Sequence, residues 1–236
     1  MVFNPEQRYT SARSPVAADN LVATSQPLAT EAGLQALRNG GNALDAALAA
    51  AITLTVVEPN NNGLGSDAFA LLWDGQQVVG LNASGRAPAA WLLDRFAGRK
   101  RMPELGWDSV TVPGAVSSWV ALSDRYGKLP FEALFESAIH YAKNGFLVGP
   151  KSAYYWQLLE GHYSDYPDWI AHFGPVPKAG ERFMRPDMVA SLEAIRDSKG
   201  EAFYRGELAS AMVDASTRAE GGLALAALAN HSCDWV

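Results

Sequence analysis

The spacing of apolar positions near the start of the chain predicts a short strand followed by a helix. Leu21–Thr24 is an apolar and β-branched run, which is typical of a buried strand. Ser25 has the side chain of a good N-cap, and Pro27 fits the first helical turn. The helix is predicted to continue to about Asn39, because Gly40-Gly41 is a strong helix-ending signal.

A second helix is predicted from Ala43 to about Val56, and its pattern has no polar face. The sequence ALDAALAAAITLTVV is interrupted mainly by Asp45 and by threonines, and Asn42 is a suitable cap for its start. A helix that is apolar nearly all round has to be buried on several sides. We therefore predict that this is the central helix of the fold.

A turn and a hairpin are predicted next. Glu58-Pro59 ends the helix, and residues 60–67 are turn formers with two glycines. Two apolar runs, Ala68–Trp73 and Gln77–Leu81, then flank Asp74-Gly75, which is a strong hairpin signal. A glycine-rich turn and a hairpin after two helices predict a layered protein of mixed secondary structure.

The rest of the chain reads as mostly helical, with no repeat and no Ser/Gly-rich linker. Residues 1–20 are polar and patternless, so they are predicted to form an extended arm, and 21–236 is treated as a portion of one domain. The helices are predicted from Val112-Pro113-Gly114 to about Tyr126, from Pro130 to about Asn144, and over about 149–160, 187–197 and 206–219, with a structured loop over 161–186.

Composition and charge exclude several classes of function. The 236 residues are 48% hydrophobic and 19% charged with a net charge of -6, so a basic nucleic-acid-binding face is not expected. No run of about 18 apolar residues occurs, and no membrane partner is expected. The first twenty residues do not resemble a secretory signal, so a cytoplasmic location is predicted.

Metal and disulfide chemistry are not expected either. Cys233 is the single cysteine, so no intrachain disulfide or cysteine metal cluster can form. The four histidines show no metal-ligand spacing. Although Cys233 follows His231-Ser232, a lone cysteine without a placed partner is not assigned as a nucleophile.

Three ordered motifs carry a resemblance to a known family. They are VATSQPLATEAGLQALRNGGNALDAALAAAITLTVVEPNNNGLGSDAFALLWDG over residues 22–75, Val112-Pro113-Gly114 followed by RYGKLPFEALFESAIHYAKNGF, and Glu220-Gly221-Gly222-Leu223 with Leu228-Ala229. Together they resemble the γ-glutamyltranspeptidase family, and the resemblance covers nearly all of the chain from about residue 20. Because the motifs are long and occur in the family's order, the resemblance is specific.

The resemblance implies an α+β fold, the helix-rich part of an N-terminal-nucleophile hydrolase with an αββα sandwich. Such a precursor, or zymogen, cleaves itself, and the new N-terminal threonine attacks a γ-glutamyl amide of the glutathione type. The threonine's own α-amine serves as its base, an acyl-enzyme forms, and water or an amine releases it. No cofactor is implied.

The chain departs from the family pattern in length. In the family the nucleophilic threonine lies far beyond the GGxLTxxDLA region, whereas this chain ends at Val236, soon after that region. No catalytic residue is therefore assigned in the chain, although the parent protein is expected to be an enzyme. The fold is expected to be incomplete without a C-terminal part, so a small subunit or self-association is expected as a partner.

A second departure concerns the substrate-binding turn. Family members carry RExAP there, with an arginine that binds the α-carboxylate of the substrate, whereas this chain has SGRAP over residues 84–88. The resemblance implies that Arg86 and Ser84 contact a γ-glutamyl, glutaryl or other acyl amide. The alternatives are a loop-anchoring salt bridge for Arg86 and a turn-stabilising hydroxyl for Ser84. The loop Asn60–Ser66 is either an anion-binding backbone or a tight corner that needs glycine.

Two functions therefore remain open from the sequence. The first is the large-subunit portion of a γ-glutamyl or acyl amidohydrolase. The second is a truncated, non-catalytic homologue that acts as a binding or interaction module. The first is motivated by the ordered motifs, and the second by the early end of the chain.

Overall fold

A computed structural model describes residues 15–236 as two compact units, each built from two chain segments. Among the described residues, the first unit comprises 15–63 and 133–190, and the second comprises 64–132 and 191–236. Residues 1–14, which make up most of the predicted arm, lie outside the described residues. The predicted single domain portion over 21–236 stays a prediction.

The described residues form ten α-helices and five short strands. The helices are α1 (Pro27–Arg38), α2 (Ala43–Val57), α3 (Ala115–Tyr126), α4 (Glu136–Asn144), α5 (Pro150–His162), α6 (Pro167–Phe173), α7 (Pro186–Ser198), α8 (Glu201–Tyr204), α9 (Glu207–Arg218) and α10 (Leu225–Ala229). The strands are β1 (Ala68–Trp73), β2 (Val78–Ala83), β3 (Phe146–Leu147), β4 (Arg182–Phe183) and β5 (Asp234–Trp235). Short 3-10 helices cover Leu93–Phe96, Trp107–Ser109 and Phe131–Phe135.

Helix α2 is the buried centre of the first unit, as its apolar pattern predicts. Asn42 and Asp45 form a capping box at its start, and α1 and α4 pack against it. Ile52 and Val57 are fully buried. Helix α1 approaches closely because Gly33 has no side chain: a Cβ there would lie 2.9 Å from the carbonyl oxygen of Ala46.

Two predictions at the start of helix α1 are wrong. Leu21–Thr24 is not a strand, and Leu21 is 60% exposed. The N-cap is Gln26 rather than Ser25, because the Gln26 side chain accepts from the backbone N–H of Leu28. The Ser25 hydroxyl instead donates to the Glu58 carboxylate at 2.5 Å.

The predicted loop over residues 161–186 contains more structure than expected. It holds helix α6 and strand β4, and β4 pairs antiparallel with β3. Aromatic packing stabilises this region, since Trp156 is 1% exposed and its ring lies 4.6 Å from that of Phe183.

The second unit contains an antiparallel sheet in the order β1-β2-β5, with helix α3 against β1 and β2. The predicted hairpin is confirmed, and Asp74 closes it by accepting from the backbone N–H groups of Gln76 and Gln77. In the described part of the chain, the outer edge of β1 pairs with no strand.

One face of the hairpin is apolar and exposed. Phe69, Leu71, Trp73 and Val78 are 71%, 81%, 65% and 65% exposed. We call these four residues the open sheet face. On the other face, Val79 and Leu81 are buried. An apolar face of this kind is unusual on a folded surface.

None of the helices built from residues 15–236 is long and apolar enough to cross a membrane. This agrees with the absence of a long apolar run in the sequence. The cytoplasmic location stays a prediction.

Candidate functional site

Two turns of the second unit meet backbone to backbone. One is the SGRAP turn, residues 84–88, and the other is the VPG turn, residues 112–114. A Cβ on Gly85 would lie 1.4 Å from the carbonyl oxygen of Val112, and a Cβ on Gly114 would lie 1.7 Å from that of Ala83. No side chain fits at either position, so glycine is required at both by direct steric contact.

Hydrogen bonds fix the two turns to each other and to the end of the glycine-rich loop. The N–H of Val112 donates to the carbonyl oxygen of Arg86 at 3.1 Å. The N–H of Gly85 donates to the Asp67 carboxylate at 3.3 Å. The VPG turn also holds the loop, because the N–H groups of Gly114 and Ala115 both donate to the carbonyl oxygen of Ser66, at 3.2 and 2.8 Å.

The side chains of Ser84 and Arg86 project from this fixed backbone into solvent. Arg86 makes no ion pair with any residue in the range 15–236, so no loop-anchoring salt bridge is found there. The turn is stabilised by Asn82, whose side chain accepts from the N–H of Ser84 at 2.9 Å. Both predicted site residues are therefore on one turn, exposed and close in sequence.

The loop Asn60–Ser66 fits neither of its two sequence interpretations fully. The N–H groups of Asn61 and Asn62 both donate to the carbonyl oxygen of Glu58 at 3.1 Å, so they are not directed at an anion. A Cβ on Gly65 would meet nothing within 4 Å, so a tight corner does not require glycine there. The loop start is anchored at Glu58, which is 5% exposed.

A polar cluster that sequence reasoning missed lies at the start of helix α3. The Ser117 hydroxyl donates to the carbonyl oxygen of Gly114 at 2.7 Å. The hydroxyl oxygen of Ser117 also lies 2.9 Å from His231 Nε2 and 3.0 Å from Cys233 Sγ. Because the single hydroxyl proton goes to Gly114, His231 and Cys233 act as donors to Ser117.

This hydrogen-bond pattern argues against a serine or cysteine nucleophile in the cluster. An activated serine would donate its proton to the imidazole, which this arrangement does not provide. Burial raises the pKa of the Cys233 thiol, which disfavours the reactive thiolate. The surroundings of Cys233 are therefore not those of a nucleophilic cysteine.

Arg86, Asp67 and His231 share one electrostatic neighbourhood. Burial lowers the pKa of His231, the Asp67 carboxylate opposes that effect, and the Arg86 guanidinium adds to it. At neutral pH the imidazole of His231 is therefore uncharged. The exposed guanidinium of Arg86 is a group suited to a substrate that carries a carboxylate.

The second unit contains two cavities, of which one adjoins the polar cluster. One, of about 240 Å³, is lined by the polar cluster together with Lys199, Glu201 and Trp235. The other, of about 440 Å³, is lined mainly by polar surface around Arg95, Arg99 and Asp108, where Arg95 donates to Asp108 at 2.7 Å. No cluster of three potential metal ligands occurs among residues 15–236.

Sequence reasoning found the SGRAP turn but not the residues that hold it. Asp67 ended a stretch of turn formers, and Ser117 and Tyr204 were within or next to predicted helices. The available signal was the pair of glycines at 85 and 114, since each marks a close backbone approach.

Comparisons with known proteins agree with this architecture. A sequence profile of the family described as Gamma-glutamyltranspeptidase matches residues 29–236. The glutathione hydrolase-like YwrD proenzyme of Bacillus subtilis (strain 168) is 35% identical over 207 residues, which are 85% of this chain and 39% of that protein. The chain thus spans well under half the length of this relative.

Solved structures of the family superpose closely on the chain. The cephalosporin acylase from Bacillus halodurans is similar with a TM-score of 0.94 and 41% identity, over 100% of this chain and 47% of that one. The γ-glutamyltranspeptidase from Pseudomonas nitroreducens complexed with L-DON gives a TM-score of 0.88 and 27% identity, over 93% and 67% of the two chains. The helix-rich α+β part of the N-terminal-nucleophile hydrolase fold predicted from the sequence is confirmed, and the chain belongs to the γ-glutamyltranspeptidase family.

Proposed function

We propose that this chain is the large-subunit portion of an amidohydrolase that cleaves γ-glutamyl or related acyl amides, with Arg86 and Ser84 contacting the acyl group. The observation that carries the proposal is the exposed Arg86 side chain, which has no acidic partner among residues 15–236, on a turn fixed by Gly85 and Val112. A guanidinium left unpaired on a rigid support is suited to bind a carboxylate from solution.

The rigidity of the turn is what makes Arg86 useful for recognition. Its backbone carbonyl is held by Val112, and the preceding N–H is held by Asp67. Only the side chain has to be ordered when a substrate binds, so less conformational entropy is lost than with a mobile loop. Ser84, exposed two residues earlier, supplies a hydroxyl for a second polar contact.

The nucleophile and the remaining substrate contacts come from a second polypeptide segment in this proposal. Support comes from the open sheet face and the unpaired outer edge of β1, which together offer a place for a further sheet layer. Relatives such as the Pseudomonas aeruginosa glutathione hydrolase are named proenzymes, which supports a precursor that cleaves itself. A completing C-terminal segment is favoured over self-association because the chain covers only 39% of that relative.

In this proposal Arg86 selects a class of acyl groups rather than one particular substrate. Similar proteins are named glutathione hydrolases, an oxamate amidohydrolase and acylases, so the family's scaffold accepts different acyl groups. In this chain the arginine stands two residues later than in RExAP, and Ser84 occupies the usual arginine position. We therefore assign to the site an acyl amide whose acyl part carries a carboxylate, with γ-glutamyl and glutaryl amides as the leading substrates.

The test measures hydrolysis of three p-nitroanilides by the complete native gene product: γ-glutamyl, glutaryl and the uncharged butyryl. Arg86→Ala should raise KM for the two carboxylate-bearing amides by about tenfold to a hundredfold, because a charge-assisted contact is lost. KM for the butyryl amide should stay within about twofold of the parental value. Arg101→Ala, at an exposed arginine outside the turn, is the matched control and should change neither.

An unchanged KM for all three amides in Arg86→Ala would remove Arg86 from the proposed site. Absence of turnover for every amide by the native gene product would instead favour the non-catalytic binding module. The two outcomes separate the role of the turn from the question of activity.

A further inference from the structure

The hydroxyl of Tyr204, at the end of helix α8, makes two hydrogen bonds beneath the VPG turn. It donates to the carbonyl oxygen of Pro113 at 2.7 Å and accepts from the backbone N–H of Ser117 at 3.0 Å. The side chain is buried, with 6% of the residue exposed. The Tyr204 hydroxyl therefore holds the VPG turn and the start of helix α3 at a fixed separation.

The protonation state of the Tyr204 hydroxyl suits it to hold both backbone groups. Pro113 contributes only an acceptor, so the phenol proton has to point at that carbonyl, and a lone pair then faces the N–H of Ser117. Burial raises the pKa of Tyr204 to about 12, so the hydroxyl keeps its proton over the whole working range of pH. A phenolate would instead repel the carbonyl oxygen.

The VPG turn transmits this position to both sides of the candidate site. Its Val112 N–H holds the backbone of Arg86, and the N–H groups of Gly114 and Ala115 hold Ser66, the neighbour of Asp67. Because Gly85 and Gly114 contact backbone directly, a shift of the VPG turn displaces the SGRAP turn with little room to adjust.

We infer that Tyr204 is a positioning residue for acyl recognition, which sets the place of Arg86 relative to Asp67 through the VPG turn. The inference rests on the proposed function of Arg86 and adds a residue outside the SGRAP turn to it. Tyr204 touches no substrate in this scheme, and its effect is on binding rather than on the chemical step.

Tyr204→Phe isolates the hydroxyl from the ring. The phenyl ring still stacks on His231, whose ring centroid lies 5.4 Å away at 23°, and it still packs against Phe203. Tyr154→Phe is the matched control, because Tyr154 is 59% exposed. Any effect seen only at position 204 is then due to the two hydrogen bonds.

The first experiment measures KM and kcat of the native gene product for glutaryl and butyryl p-nitroanilide. Tyr204→Phe should raise KM for the glutaryl amide by about tenfold and leave kcat within about twofold. In an Arg86→Ala background it should raise KM no further, since the affected contact is already gone. Equal losses for both amides, a loss confined to kcat, or effects that add to those of Arg86→Ala would overturn the inference.

The second experiment reads the position of the turn without activity. Trypsin cleaves after Arg86, and mass spectrometry reports the rate at the Arg86–Ala87 bond under native conditions. Tyr204→Phe should raise that rate several-fold, whereas Tyr154→Phe should not. If Arg86→Ala alone leaves KM unchanged, the proposed function fails, and an unchanged cleavage rate in Tyr204→Phe shows separately that Tyr204 does not position the turn.

Discussion

Helix α2 and the β1–β2 hairpin both carry apolar side chains on nearly every side, yet the structure buries the first and leaves one face of the second open. In α2, Ile52 is fully buried between neighbouring helices. In the hairpin, Leu71 is 81% exposed. The difference shows that the helical layer is completed by this chain's own residues, whereas the sheet layer is covered on one side only.

The SGRAP and VPG turns keep their shape although the sheet is covered on one face only. Both turns lie at the covered side, where α3 packs on β1 and β2, and both are fixed by backbone contacts. Side-chain packing from the open sheet face is not needed to hold them.

The free energy of unfolding should change most at a core position of helix α2 and very little on the open sheet face. Ile52→Ala should lower the free energy of unfolding by about 4 kcal/mol, because it leaves a cavity in a closely packed core. Leu71→Ala should change it by less than about 0.5 kcal/mol, since the side chain is in water. Urea denaturation of the 236-residue chain followed by circular dichroism measures both. Similar losses for the two variants would contradict the contrast between the layers.

A somewhat smaller loss of stability is expected when the backbone contact between the SGRAP and VPG turns is disturbed. Gly114→Ala should destabilise the chain by about 3 kcal/mol, because its Cβ would overlap the carbonyl of Ala83 and force the turns apart. Gly65→Ala, where a Cβ meets nothing, is the control and should change the free energy of unfolding by about 0.5 kcal/mol or less. Tolerance of Gly114→Ala would mean that the turns are not in contact.

A smaller effect concerns the buried carboxylate at the end of helix α2. Ser25→Ala removes a hydrogen bond to Glu58, which then keeps the 3.1 Å bond from Asn62. Because a hydrogen bond to the Glu58 carboxylate is lost in a part-buried place, we expect a cost of about 2 kcal/mol. Ser164→Ala, at an exposed hydroxyl 3.5 Å from its acceptor, should have almost no effect. Thermal melting of both variants checks this. Equal melting temperatures of Ser25→Ala and Ser164→Ala would count against a stabilising role for the Ser25–Glu58 hydrogen bond.

The smallest effect is a pH dependence of stability that arises from His231 in the second unit. Burial lowers the pKa of His231 below the ordinary histidine value of 6.5, so the folded state binds this proton less readily than the unfolded state. The stabilisation is therefore complete above pH 6.5 and is lost as pH falls through the lowered value. Melting between pH 8 and 5 should show a steeper loss in the parental chain than in His231→Gln. His162→Gln, at an exposed histidine, should follow the parental curve.

Local patterns predicted the elements whose signals lie within a few residues. Asn42 marks a helix start and Asp74 with Gly75 marks a hairpin, and both are found as predicted. Leu21–Thr24 has β-branched residues but no partner strand, so the propensity alone does not make it a strand. Ser25 fails as an N-cap because its hydroxyl is engaged by Glu58, 33 residues away.

Long-range contacts account for what the sequence did not show. Strand β5 exists because Asp234 and Trp235 pair with β2, more than a hundred residues earlier in the chain. Tyr204 and Ser117 meet across 87 residues, and neither has a local motif that marks it. Arg86 and Ser84 were found because the SGRAP motif is contiguous, and their contact with a substrate stays a prediction.

We propose that the open sheet face is the surface on which the remaining segment of the proposed amidohydrolase assembles. Hydroxyl-radical footprinting with mass spectrometry tests it directly, by comparing the isolated 236-residue chain with the complete native gene product. We expect Phe69, Leu71 and Trp73 to be reactive in the isolated chain and strongly protected in the complete protein, while helix α2 is protected in both. Equal reactivity of the three side chains in the two samples would contradict the account.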